Sequence, residues 1–519
     1  MFKNQVAEFI YKRTYSRWKE QDNRREDWPE TIERFIGFII SERPDIPDKT
    51  VNKIRKYMTE FAVMPSMRFL WAAGPAAKYD NTCIYNCSFA KINSVEAFAE
   101  CLYILMCGTG FGFSVEKEEV DKLPTIPEIK SGQALEKIPI FDSKAGWADS
   151  VKMLMNNLYD GQNIYFDYSQ IRLEGARLHT MGGRASGPAP LVKLHDFIRE
   201  TMHNAQGRKL TTLEAHDICN QIAEIVVVGG VRRSSQISLS DIDDKEMRHA
   251  KEWPFPIKRA MANNSAIFRE KPTAAQFLKE WASLALSGTG ERGIFNLDSA
   301  QKKAPSRRYA PLIQGTNPCG EIMLRDMEFC NLSEVVVRAE DDLDTLLDKV
   351  ETATWLGVIQ SSFTYFPYLR ESWKKNCDVE ALLGVSLTGQ MDNPSVLTSE
   401  ALAALKSRVL RISRKASTIL GTKMPAATTC VKPSGTVSQL VDSASGVHPR
   451  YSQHYIRRYR ISANDPLFKL MVDSGIKANP EVGQDKKTAS TWVLEFPVKA
   501  PEDCITRKDV TALDQLKHY

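Results

Sequence analysis

Asn317-Pro318-Cys319-Gly320-Glu321 places a carboxamide, a thiol and a carboxylate at alternate positions, and a further thiol, Cys330, follows eleven residues after Cys319. In an extended segment alternate side chains project to the same side, so the spacing predicts a one-sided cluster. Pro318 stiffens the backbone within it and Gly320 relaxes it. The combination is chemically suggestive, because a cysteine gives up a proton or a hydrogen atom while a glutamate takes a proton from a neighbouring hydroxyl. On their own the five residues read equally well as an Asn-Pro loop capping a helix, with a buried cysteine.

Cys87, in Asn86-Cys87-Ser88-Phe89, is a third separated thiol. Zinc wants closely spaced ligand pairs. Cys83 and Cys87 have that spacing but no second pair near them, Cys101 and Cys107 are too far apart, and His448 and His454 lie in a distant segment. No metal site is expected. A redox pair between cysteines distant in sequence stays open. Three glycine-bearing turns could meet phosphate or sugar. Pro433-Ser434-Gly435-Thr436-Val437, after Lys432, offers backbone N–H groups and two hydroxyls at a helix start. Gly108-Thr109-Gly110-Phe111-Gly112 is half of a dinucleotide fingerprint, without its preceding strand or its later acidic residue. Gly229-Gly230-Val231-Arg232-Arg233-Ser234-Ser235 brings two guanidiniums to a flexible turn.

The elements that must position these groups alternate in type. Helical spacing runs over 5–60, broken at Pro44 and Pro47, with Trp18 and a charged stretch to Asp27 between its halves. Helices are then predicted over Val95–Cys107, Ala145–Leu158, Pro190–Ala205 and Thr212–Ile225. Strands are predicted over Gly112–Val115, Ile164–Asp167, Val226–Val228 and Gln236–Ser240. This alternation implies a parallel or mixed sheet wrapped by helices, with Glu116–Lys137 as an exposed excursion. At 519 residues the chain exceeds one ordinary domain. A net charge of +5 gives no reason to expect direct nucleic-acid binding. No run reaches the ~18 apolar residues of a membrane span, and ten cysteines without a secretory leader predict cytoplasmic thiols.

The order of the motifs is more specific than any one of them. Asn86-Cys87-Ser88-Phe89, the Gly110/Gly112 turn, Gly182-Gly183-Arg184-Ala185-Ser186-Gly187-Pro188, Val231-Arg232-Arg233-Ser234, Asn317-Pro318-Cys319-Gly320-Glu321, Cys330-Asn331-Leu332 and Pro433-Ser434-Gly435-Thr436 follow one another. In that order the chain resembles the class II, adenosylcobalamin-dependent ribonucleotide reductases over essentially residues 10–510.

The resemblance implies a ten-stranded α/β barrel of two antiparallel five-stranded halves, with a finger loop around 315–332 threaded through it. A helical region (1–62) would precede a barrel (63–519), with an effector and specificity region around 145–240. It implies that Cys319 becomes a transient thiyl radical removing the ribose 3′-hydrogen, that Glu321 takes the 3′-hydroxyl proton, and that Asn317 orients the sugar. Cys87 and Cys330 would supply the reducing equivalents and end as a disulfide. Pro433, Ser434, Gly435, Thr436 and Val437 would hold the phosphates, with Asn86 and Gly110 near the sugar. Gly229, Gly230, Arg232, Arg233 and Ser234 would sense a deoxynucleotide effector.

The radical source is likewise implied by the resemblance. No glycyl-radical motif closes the chain, no Tyr-Tyr pair is present, and Arg13-Thr14-Tyr15-Ser16-Arg17-Trp18 is similar to class II members. Adenosylcobalamin is the expected cofactor, a ribonucleotide triphosphate the expected substrate, and a thioredoxin-like protein the expected reductant. The family's tail cysteine pair has no counterpart, since only Cys504 lies beyond Cys430. A C-terminal partner polypeptide is therefore an expectation. The short stretch between Gly110 and Gly146 leaves monomer and homodimer both open, and regulation by an N-terminal ATP cone is not expected. Two alternatives stand beside this reading: an incomplete nucleotide-binding subunit and a diphosphate-specific reductase.

Overall fold

In the computed structural model, which describes residues 2–130, 137–178, 184–228, 235–502 and 504–519, the N-terminal region contains helices α1 (Gln5–Ile10), α2 (Trp28–Glu42) and α3 (Asp48–Thr59). A reciprocal capping box between Asp27 and Glu30 starts α2, and Pro29 in its first turn needs no N–H partner. The stripe Ile32, Phe35, Ile36 and Ile39 is buried against the core. The stretch from Trp18 does more than separate helices. It forms a short hairpin with Trp18 opposite Arg25, held by Glu30 through Lys19 at 2.6 Å and Arg24 at 2.7 Å.

After strand β1 (Val63–Pro65), five parallel strands make the main sheet. They are β2 (Cys87–Lys91), β3 (Gly110–Ser114), β4 (Gln236–Asp241), β5 (Ala262–Phe268) and β6 (Gly293–Asn296), in spatial order 6-5-4-3-2. Parallel neighbours need crossover connections. Helix α4 (Val95–Met106) connects β2 to β3; α5 (Lys144–Tyr159), α6 (Ala189–Asn204) and α7 (Thr212–Val228) lie between β3 and β4; α8 (Ala274–Ser287) connects β5 to β6. All five residues of β3 are buried, as expected for a central parallel strand.

Strands β7 (Ile313–Thr316) and β8 (Met323–Arg325) form an antiparallel hairpin, and β9 (Glu328–Phe329) closes the free edge of β2. The chain then enters a second sheet. There β10 (Ser333–Val336) pairs antiparallel with β1 and parallel with β11 (Val385–Thr388), across the buried helix α9 (Leu343–Ser361). A parallel bridge from Val385 to Thr429 extends this sheet toward the Pro433 turn. The fold is thus mixed α/β, with one complete set of five parallel strands. Among the described residues the two sheets that flank the hairpin, of six and three strands, stay separate rather than forming one closed barrel.

Several local expectations are corrected. Val226–Val228 is the last turn of α7, because the helix stabilises its β-branched residues once it packs on α4 and α6. The strand expected at Ile164–Asp167 shortens to Phe166–Asp167. The described part of Glu116–Lys137 is anchored: Leu123, Ile126 and Ile129 are buried. Glu116 meets Arg269 at 2.6 Å and Glu119 meets Lys91 at 2.8 Å, so its charges are matched. No described helix is long and apolar enough to cross a membrane.

Candidate active site

Strand register assembles the thiols. Glu328 lies opposite Phe89 and Phe329 opposite Ser88, and the next step brings Cys330 to Cys87, where the Cys330 N–H donates to the Cys87 carbonyl at 2.9 Å. On its other side Cys87 is in register with Gly110 of β3. The Cys87 thiol neighbours both the Cys330 and the Cys319 thiol closely enough for each to perturb the others' protonation. Residues 87, 319 and 330, far apart in sequence, therefore form one row. Cys87 and Cys330 are buried, and Cys319 is exposed at the hairpin tip.

The tip is a turn, not the extended segment that the alternation of Asn317, Cys319 and Glu321 suggested. The Gly320 N–H donates to the Asn317 carbonyl at 2.9 Å, with Pro318 in the position that favours a fixed φ and Gly320 at φ 82°. The turn still brings the expected groups together. Asn317 Nδ2 donates to Glu321 Oε2 at 2.9 Å, and Asn317 Oδ1 accepts from the Ile322 N–H at 3.0 Å. The amide thus holds the carboxylate and closes the loop at once.

The hairpin lies between the two sheets. A Cβ on Gly112 would come closer than 3.0 Å to the Thr316 carbonyl, and one on Gly384 would sit 2.6 Å from the Asn331 carbonyl and 3.0 Å from Ile322 Cδ1. Glycine permits both approaches. At its base, buried Glu380 receives Arg308 Nε at 2.8 Å and Arg325 Nη2 at 2.8 Å, and Glu328 receives the Arg325 N–H at 2.7 Å. This paired network fixes where β8 leaves the hairpin. Nothing in the motif spacing indicates it.

Electrostatics keep the row protonated. The contact with Cys87, then burial, raises Cys319 far above an ordinary thiol. The Cys319 contact pulls Cys87 down, but the Cys330 contact and burial outweigh it, and burial raises Cys330. Such thiols are poor thiolate nucleophiles and poor metal ligands, yet they retain the S–H bond that hydrogen-atom transfer requires. Burial also raises Glu321 above its ordinary 4.5, opposed by the Asn317 hydrogen bond and by Lys432. Lys432 Nζ meets Glu334 Oε2 at 2.6 Å, and this carboxylate outweighs burial in holding Lys432 charged. The roles of Lys432 and Glu334 were not read from the sequence. The available signal was a carboxylate inside the otherwise apolar run after Ser333.

The Pro433–Val437 turn borders the same space. Ser434 is buried in the left-handed region (φ 49°), and its hydroxyl has no partner among the described residues. Gly435 has nothing within 4 Å of a Cβ position, so that side is open. Asn86 accepts from the Arg68 N–H at 3.2 Å through its side chain and from the Gly110 N–H at 2.8 Å through its carbonyl. Gly229, Gly230, Arg232, Arg233 and Ser234 lie outside the described residues. A cavity of ≈ 630 Å³ is nevertheless lined by Ile225 and Val226 of the preceding α7, together with Lys144, Trp147, Arg172 and Arg184.

Fold and site define a class, the ribonucleotide reductases. Three family models match: the ribonucleotide reductase alpha domain over 1–75, the B12-dependent ribonucleotide reductase insertion domain over 114–202, and the ribonucleotide reductase barrel domain over 231–367. The chain belongs to this family, in its B12-dependent branch. The insertion match falls on the stretch after Gly110 that had been expected to be short. Adenosylcobalamin-dependent ribonucleoside-triphosphate reductases of Lacticaseibacillus paracasei and Levilactobacillus brevis are 27% and 28% identical, each over 94% of this chain and 78% of the relative. The crystal structure of a B12-dependent (class II) ribonucleotide reductase superposes with TM-score 0.80 at 24% identity, covering 96% of this chain and 82% of that one. The Actinobacillus ureae class Id alpha subunit gives TM-score 0.55 at 13% identity, over 91% and 79%. These two structures speak to the fold.

Proposed function

We propose that this chain reduces ribonucleoside triphosphates to 2′-deoxyribonucleotides with adenosylcobalamin, and that Cys319, Cys87, Cys330, Asn317 and Glu321 carry the reaction. The observation that carries the site assignment is the thiol row, with Cys87 in reach of both Cys319 and Cys330 beside the Asn317–Glu321 pair. The donor set fits an external radical source: Cys319 is exposed, while the two reducing thiols are buried behind it. When bound, adenosylcobalamin supplies the carbon radical that takes the Cys319 hydrogen. Cys319 and Gly320 at the exposed tip are the residues that would face it.

Cys319 removes the ribose 3′-hydrogen and returns it at the end. Glu321 accepts the 3′-hydroxyl proton, which eases loss of the 2′-hydroxyl as water, and Asn317 fixes the carboxylate toward the sugar. Cys87 and Cys330 deliver two hydrogen equivalents and join as a disulfide, their facing strand positions needing little movement. A thioredoxin-like reductant then restores them. The Pro433–Val437 turn holds the phosphates, with the free Ser434 hydroxyl and backbone N–H groups as donors, and Asn86 and Gly110 border the sugar. The two sheets are taken as parts of one ten-stranded barrel around the finger. The ≈ 630 Å³ cavity takes the deoxynucleotide effector, its Lys144, Arg172 and Arg184 suiting phosphates and Trp147 suiting a base.

Anaerobic reduction of CTP and CDP with adenosylcobalamin and dithiothreitol tests this reading, beside Cys319→Ala. Cofactor-dependent deoxycytidine triphosphate that vanishes in the variant is expected. Equal turnover by the variant would sink the assignment of Cys319, and preference for CDP would sink the triphosphate assignment.

A further inference from the structure

Behind the wall of that cavity lies a polar cluster that the reaction does not use. Cys107 caps the C-terminus of α4 and is fully buried, and Lys144 is the first residue of α5, its side chain 29% exposed. Lys144 Nζ donates to Cys107 Sγ at 2.9 Å and to Asp80 Oδ2 at 3.1 Å. The same Asp80 oxygen accepts from Tyr103 at 2.7 Å and lies 3.3 Å from Cys107 Sγ. Amine, thiol and carboxylate are thus in mutual contact, and they link the ends of two helices three residues before Gly110.

We propose that Cys107 and Lys144 are a modification site, joined under dioxygen by a reversible sulfur–oxygen–nitrogen bridge. One thiol, one neutral amine and one dioxygen give the bridge and one water. The S–H bond and one N–H bond break, one oxygen atom bonds to both sulfur and nitrogen, and the other leaves as water with those two hydrogens. Sulfur and nitrogen each lose two electrons, and dioxygen takes up four. The ammonium proton must leave first, and it goes to solvent through the exposed part of Lys144, because, against burial, Lys144 holds the Asp80 carboxyl below its ordinary value. The 2.9 Å approach suits two single bonds through one bridging oxygen, whereas a direct sulfur–nitrogen bond needs a much closer approach. Burial pushes the Cys107 thiol up, which closes the ordinary thiolate route to sulfenic acid. The lysine contact is then what singles out this cysteine.

The consequence rests on the effector reading of the cavity. The bridge removes the Lys144 charge from the cavity wall and pins α5 to α4, so an anionic ligand binds less well when the pair is oxidised. The experiment compares full-length protein reduced with dithiothreitol, then held under argon or in air-saturated buffer. Peptide mass spectrometry and dTTP binding, followed by Trp147 fluorescence, are the readouts. Expected in air is a cross-linked pair of peptides bearing Cys107 and Lys144, heavier by one oxygen and lighter by two hydrogens than their sum. It should be absent in Lys144→Met and Cys107→Ala and reversed by dithiothreitol, with dTTP affinity at least tenfold lower while it persists. No cross-link in air, or a Cys107 oxidation product equally abundant in Lys144→Met, overturns the proposal. A reversible cross-link in a protein that binds no dTTP in either state upholds the modification and overturns the effector reading instead.

Discussion

Gly110 is where the proposed site has least room. A Cβ there would lie 3.2 Å from Cys87 Sγ, 3.2 Å from the Ser235 carbonyl and 3.3 Å from Pro318 Cγ, all inside the ordinary 3.4 Å limit. Its φ is not positive, so alanine brings no backbone strain and the effect is purely one of space. The neighbours must yield by a few tenths of an ångström. Two of them belong to the proposed site: the Cys87 thiol, and Pro318, which sits next to Cys319. If ~1 Å of misplacement costs ~10²-fold, a few tenths cost about three- to fivefold in kcat/KM. Overpacking should also cost about 1–3 kcal/mol of stability.

Gly110→Val adds bulk against the same three atoms and should cost ~10² or more. Gly37 is the matched control, exposed in α2 with nothing within 4 Å, and Gly37→Ala should stabilise by about 0.5–1 kcal/mol without changing turnover. CTP reduction with saturating cofactor and dithiothreitol gives the rates, and urea denaturation gives the stabilities. Full activity in Gly110→Ala together with near-normal activity in Gly110→Val would show that Cys87 and the finger tip do not work at this separation. The assignment of the reacting thiols would then fall.

Three further outcomes follow from the same geometry. Burial raises Glu321 above 4.5, so turnover should rise as pH climbs through that raised value; Lys432→Met should move the limb to higher pH and Lys432→Arg should keep it, as a pH–rate profile will show. The folded chain also holds a proton there that the unfolded chain releases, so this group makes stability fall as pH rises from 4.5 to the raised value. One turnover without reductant should leave a Cys87–Cys330 disulfide, seen as a linked peptide pair; formation of the same pair by Cys319→Ala would disconnect the disulfide from turnover. Glu380→Ala should lose about 3–5 kcal/mol in urea denaturation, because Arg325 would lose its carboxylate and Arg308 would keep only the longer 3.4 Å contact with Glu328.

The helices were legible where periodicity and punctuation agreed. Pro44 and Pro47 mark the gap between α2 and α3, and Ser143 starts α5 by accepting from the Gly146 N–H at 2.9 Å. Val226–Val228 misled because β-branched residues carry strand propensity while packing decides the outcome. Glu116–Lys137 misled because its charges have distant partners: Arg269 lies more than a hundred residues from Glu116. The site shows the same division. Motif order singled out Asn317, Cys319, Glu321, Cys87 and Cys330, which the fold brings side by side, but the alternation argument gave a strand where Pro318 and Gly320 make a turn. The Lys432–Glu334 pair and the Arg308–Glu380 network depend on register between segments far apart in sequence, and no local pattern records that.

The division of exposure among the three thiols gives the site its logic. A radical is quenched by any accessible hydrogen donor, so under the proposed roles the sulfur that meets the radical source has to be reachable and the sulfurs that reduce the substrate sheltered. Cys319 stands exposed on a turn at the end of a hairpin, while Cys87 on β2 and Cys330, directly after β9, are buried and adjacent. Thiols raised by burial and by one another stay as S–H, which suits hydrogen-atom transfer and disfavours adventitious alkylation or metal capture. Glu321 is tuned differently, pushed up by burial and drawn down by Asn317 and Lys432. The hairpin tip and the edge of β2 thus keep three thiols protonated and raise the proton affinity of Glu321, the combination that the proposed removal of a 3′-hydrogen and loss of a 2′-hydroxyl demands.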